Sequence, residues 1–135
     1  MIAVKENVMT IIGPVNYQAN YETDVWKVYH ALGLGYTVFL IHPSNGPTLL
    51  LVPPTEKQSL FDTEAYVVEV LIENGLVEKT TRENLPYDAE AIYYLTDEGK
   101  QLLALIHEEV QKRPEQERFS AGEELLKSKI NLQRP

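Results

Sequence analysis

The chain contains no cysteine. Disulfides, thiolate metal sites and cysteine nucleophiles are therefore excluded before any pattern is read. No apolar run approaches the ~20 residues that cross a bilayer, and no charged-then-apolar leader opens the chain. A soluble cytoplasmic protein is the expectation. Phosphate-cradling and calcium-loop spacings are missing as well. The close glycine pair Gly33-Leu34-Gly35 follows a helical pattern and lacks the third glycine of a dinucleotide loop, so it reads as a helix stop.

Histidine is scarce, and His30, His42 and His107 fall on different predicted elements. His107-Glu108 begins the zinc-protease pattern, but position 111 is glutamine where the second histidine should stand. Glu69 and Glu73 share a helix face, as solvated acids often do, with no partner that would split their acidities into an acid and a base. No cofactor, metal or catalytic centre is expected, and a small-molecule enzyme ranks last among the functional readings.

Positive charge is also short. Twenty acids stand against twelve bases, a net charge of −8. The imbalance lies in residues 1–111, with 16 acids and 6 bases, whereas residues 112–135 have 4 acids and 6 bases. An acidic body repels a polyanion unless its charges are segregated.

What is present is enough for one domain. The 135 residues and a 44% hydrophobic content support a core without staples. Residues 1–113 read as that domain, and 114–135 as a helical extension or tail with few apolar residues. Val4, Val8, Ile11 and Ile12 fit a short helix or strand. Tyr21, Val25, Val28, Tyr29 and Leu32 recur at helical spacing up to Gly33. Residues 36–42 and 48–52 are apolar runs rich in β-formers, separated by Pro43-Ser44-Asn45-Gly46-Pro47. That turn chemistry predicts a hairpin, and its lack of alternation predicts burial on both faces.

The stretch 62–105 organises the rest. Phe61, Ala65, Val68, Leu71 and Ile72 predict a helix over 62–74, stopped by Asn74-Gly75. Strands are predicted over 77–81 and 91–95, with a polar loop at 82–90 between them. Thr96 then caps a helix whose first turn carries Asp97 and Glu98.

This order of helix, strand, loop, strand, helix resembles the second half of a winged-helix domain. The residues carrying the resemblance are Val67–Glu78 and Tyr94–Leu103, in particular Asn74-Gly75-Leu76-Val77-Glu78 and Tyr94-Leu95-Thr96-Asp97-Glu98-Gly99. They are similar to the recognition-helix exit and post-wing helix of MarR- and PadR-type repressors, with Thr48–Val52 as the small first strand. The resemblance implies an α+β fold: a winged-helix-like domain with an extra N-terminal helix and a β-hairpin packed on it. It also implies a homodimer formed in part by the post-wing helix, through Leu102, Ile106 and Val110, though the same residues fit an intramolecular core equally well. The helix that should precede the recognition helix shrinks to residues 56–60, and the wing lacks the Asp-x-Arg pattern common in the MarR type.

On the predicted central helix, Asp62, Tyr66, Glu69, Val70 and Glu73 project away from the core stripe. A DNA-reading helix needs arginine, lysine or amide groups there, whereas this face offers three acids and no base. This face reads either as a plain solvated acidic surface or, because an aromatic and an aliphatic side chain lie among the carboxylates, as a patch for a basic, partly apolar protein partner. A non-catalytic protein-interaction module is the leading expectation. The alternative is a transcriptional regulator touching DNA through Lys79 and Arg82 on the wing and Lys112 and Arg113 beyond it. A surface that mimics nucleic acid is a third reading.

Overall fold

The computed structural model describes residues 17–132. The element expected within 4–12 lies outside them. The first helix, α1 (Tyr17–Gly33), buries Tyr21, Val25, Trp26, Val28 and Tyr29 along one face. It ends as the two glycines require: Tyr36 N–H donates to Ala31 O at 3.0 Å and Gly35 N–H to Leu32 O at 3.2 Å, with Gly35 at φ +96°. That left-handed closure is open to glycine at little cost.

Strands β1 (Thr37–Ile41) and β2 (Thr48–Val52) form the expected hairpin, with Leu40 opposite Leu49 and Val38 opposite Leu51. Val38, Leu40, Leu49 and Leu51 face the helices, while Phe39 and Leu50 join Ala89 and Ile92 in a second apolar cluster on the opposite face. The unbroken apolar runs are thus explained by a sheet covered on both sides.

The central helix is the main correction. Phe61–Glu64 forms a strand, β3, paired with β2 from Leu51 opposite Phe61 to Thr48 opposite Glu64. A 3-10 turn follows (Ala65–Val68), and only Glu69–Glu73 is α-helix, α2. The apolar edge of β2 overrides a weak local preference: pairing there covers β2 and half-buries Phe61 and Thr63, while Asp62 and Glu64 stay in solvent. The late helix start also rotates the segment, so Val67, Val68, Val70 and Leu71 all enter the core.

From the end of α2 to the start of α3 the expected elements are present. Gly75, at φ +75°, closes the helix, with Leu76 N–H donating to Leu71 O at 2.9 Å. Strands β4 (Val77–Thr81) and β5 (Ala91–Leu95) pair antiparallel, with Val77 opposite Leu95 and Thr81 opposite Ala91. Helix α3 (Asp97–Val110) is capped by Thr96, whose hydroxyl accepts from the Gly99 amide at 2.9 Å. The same hydroxyl donates to Gly75 O, which fastens the helix start to the α2–β4 turn.

The five strands run β3-β2-β1-β5-β4, antiparallel throughout. The strand beside β5 is therefore β1. The 48–52 strand, expected to be the first strand of a three-stranded wing sheet, lies one position further out.

The last segment is part of the core. Helix α4 (Arg118–Lys129) buries Ala121, Gly122 and Leu126, and Leu132 beyond it is buried too. It lies on α1 and α3, with Gly122 directly against the Trp26 indole. Thr23 donates to Glu123 at 3.1 Å and Lys127 pairs with Glu22 at 3.2 Å, both across to α1. Of the two readings of residues 114–135, helical extension and tail, the segment takes the first, and Ala121, Leu126 and Leu132 are buried against the body of the fold. Ile106 and Val110 are buried within the same core and Leu102 packs against it, so this face of α3 is filled from within the chain and is not free to form a dimer.

Candidate interaction surface

Loop 82–90 crosses the second face of the sheet. Leu85 and Ala89 sit on Phe39, Leu50 and Ile92. The loop is tied down at its end by Glu90 N–H donating to Leu40 O at 2.9 Å, beside a 2.6 Å contact between His42 Nε2 and the Glu90 carboxylate. That second contact is half-exposed and contributes little to stability.

Within the loop, Pro86 to Ala89 form a tight turn closed by Ala89 N–H to Pro86 O at 3.1 Å. Its two central residues are both left-handed, Tyr87 at φ 62° and Asp88 at φ 54°. Asn-Gly is the usual choice for such a pair, and an L-residue there costs about 1–2 kcal/mol. Asn84, at φ 61°, is a third such position, of a type that tolerates it better. The seating of Leu85 and Ala89 helps offset this strain, and the Tyr87 ring lies 5.7 Å from that of Phe39.

The result is a fixed aromatic surface. Tyr87 is 53% exposed and Tyr94, on the same sheet face, is 40% exposed. Arg82 donates to the Tyr94 hydroxyl at 3.2 Å. Glu78 stands opposite Tyr94 in the ladder, and Glu83, Asp88 and Glu90 are exposed along the loop. Burial, and then the charges of Glu69 and Glu90, push the neighbouring Tyr93 phenol up to about 12, so the acidic field reaches into the sheet.

The residues expected to form a partner site on the central helix are dispersed. Asp62 is exposed on β3, and Glu69 and Glu73 are exposed on α2. Tyr66 is half-buried and stacked on Tyr21 at 5.6 Å. Val70 is 2% exposed and belongs to the core, which removes it as a surface anchor. The patch of an aromatic and Val70 among acids does not exist on α2. Of the alternative DNA-contacting residues, Lys79 and Arg82 are exposed at the β4 end, Lys112 pairs with Glu109 at 2.9 Å, and Arg113 pairs with Glu117 at 3.3 Å. Tyr87 and Tyr94 were hidden from sequence reading because 82–90 looked like plain polar loop. One tyrosine within that acidic stretch and another just beyond it were the available signal.

The structure also joins two histidines that the sequence kept apart. His30 and His107 lie 5.7 Å apart, ring to ring, with His30 also against Trp26 and Phe119. Among the described residues His30 Nδ1 and His107 Nε2 are buried without hydrogen-bond partners. Among the described residues no group of three histidine or acidic side chains is placed to hold a metal. Burial, and then the proximity of His107, lower the His30 pKa below its ordinary 6.5. With the folded value depressed, the unfolded chain takes up the proton first. Stability is therefore full above about pH 6.5 and declines as pH falls toward the folded value. The urea midpoint is expected to drop between pH 7.5 and 5.5, and to drop less in His30→Leu. Equal pH slopes in both proteins would refute the assignment.

Comparison with protein-family models, with curated proteins and with solved structures finds no match. Among the described residues, no helix is long and apolar enough to cross a membrane.

Proposed function

We propose that this chain is a non-catalytic protein-interaction module on a winged-helix-related frame, and that it receives a basic, partly apolar protein segment on the face formed by Tyr87, Tyr94 and Arg82. The frame reading is supported by the succession α2, β4, loop, β5, α3 and by the β1-β5-β4 order of the adjoining strands. It departs from the usual plan where β2 and β3 occupy the place of the helix before α2. The observation that carries the binding reading is Tyr87, an exposed aromatic held in a left-handed turn that costs stability. Strain of this kind gathers at functional sites. Tyrosine and arginine are the side chains most enriched among interface anchors, and the surrounding acids select a cationic partner. The chemistry anticipated for the central helix is thus relocated to the loop.

Regulation through DNA contact at Lys79, Arg82, Lys112 and Arg113 is the weaker reading, because Lys112 and Arg113 are already engaged with carboxylates. Selection from a displayed random-peptide library tests the proposal. Enriched sequences should place lysine or arginine beside an aromatic or aliphatic residue, and Tyr94→Ala should weaken the best of them about 30-fold without unfolding the protein. Binding unchanged by Tyr94→Ala, or tight sequence-selective duplex DNA binding at physiological salt, would sink it.

A further inference from the structure

Among the described residues the sheet ends in two unpaired edges, β3 and β4. Arg82 N–H donates to Glu90 O at 3.4 Å, which sets the parity of the β4–β5 ladder. Glu78 and Thr80 turn their backbone groups to β5, whereas Val77, Lys79 and Thr81 turn theirs outward. Those outward groups have no hydrogen-bond partner among the described residues.

We propose that β4 pairs antiparallel with β4 of a second copy of this chain, about a two-fold axis through Thr80, making one continuous ten-stranded sheet. This proposal rests on the β4 edge and does not depend on the peptide-binding reading. Charge and strand overlap together decide the edge and the register. On β3, an axis at Asp62, Thr63 or Glu64 sets acids of the two copies face to face, which is repulsive. On β4, an axis at Glu78 or at Lys79 puts like charges face to face. With Thr80 on the axis, Glu78 of each copy meets Arg82 of the other, and Lys79 meets Thr81. Glu78, Thr80 and Arg82 share the sheet face that carries Tyr94, where Arg82 already lies against the Tyr94 hydroxyl. The outward groups of Lys79 and Thr81 then bond across the new seam, so the parity that leaves them unpaired is the parity this register uses.

The absence of native cysteine makes the test clean. Thr80 and its symmetry mate would form a non-hydrogen-bonded pair with Cα atoms about 4.5 Å apart, within disulfide range. Mild oxidation should therefore cross-link Thr80→Cys rapidly, and Leu60→Cys, on the exposed segment before β3, slowly. Glu78→Arg should weaken the dimer seen by light scattering roughly tenfold, and adding Arg82→Glu should restore it. Lys79→Pro removes an outward amide without touching the β5 ladder, so it should abolish the dimer while circular dichroism stays native. A folded wild-type chain that stays monomeric at every concentration, Thr80→Cys cross-linking no faster than Leu60→Cys, or a dimer indifferent to Lys79→Pro would each overturn the proposal. Peptide capture should survive Lys79→Pro, so failure here is separable from failure of the functional reading.

Discussion

Gly99→Ala is expected to cost about 3 kcal/mol, far more than a helix-favouring change normally would. A Cβ at this position would lie 2.0 Å from Leu76 O and 2.9 Å from the carbonyl carbon, and both atoms belong to the backbone. No rotamer can relieve that contact, so α3 must lift away from the start of β4. Lifting it strains the bonds that Gly99 itself makes: its amide to Thr96, and its carbonyl to the buried Tyr29 hydroxyl. Urea unfolding of Gly99→Ala beside exposed Lys100→Ala measures the effect. A Gly99→Ala protein within about 0.5 kcal/mol of wild type would mean that the α3–β4 junction yields easily.

Leu126→Asp carries the second large effect, and it tests whether α4 belongs to the fold. Leu126 is fully buried in the main core. An aspartate there removes an apolar side chain and must be neutralised or hydrated in a dry site, for a loss of about 4 kcal/mol. The reporter is internal: Trp26 is the single tryptophan, and Gly122 of α4 lies directly on its ring. The substitution should shift Trp26 emission to the red and lower the unfolding midpoint. Unchanged emission and midpoint would restore the view of residues 114–135 as an appendage.

Patterns backed by more than one local signal were legible in the sequence. The β1–β2 hairpin had two β-rich runs and a turn. The start of α3 had a capping threonine and two acids, and the stop of α2 had Asn74-Gly75. What failed depended on partners distant in the chain. Phe61–Glu64 reads as a helical turn until β2 offers an edge, and that change rotates Val70 into the core and dissolves the expected site. The docking of α4 was only one of several readings of a helix-compatible segment with few apolar residues, because its contribution lies in one leucine, an alanine and a glycine fitted to an indole. Tyr87 and Tyr94 were visible as residues but not as a surface. Their place on one sheet face is set by the strand register and by a backbone conformation that composition does not announce.

The strand order has a consequence for how the chain reaches this state. The meander β1-β2-β3 and the hairpin β4-β5 each close through connections of a dozen residues or fewer. The single seam between them is β1–β5, where Leu40 faces Ala91, 51 positions later in sequence. Within the sheet, two locally closed pieces are joined by this one long-range seam, which carries the entropy of closing that span. Glu90 and Leu40, which bond across the seam, also anchor the strained loop. The turn that carries Tyr87 is thus anchored only when the halves of the sheet have met.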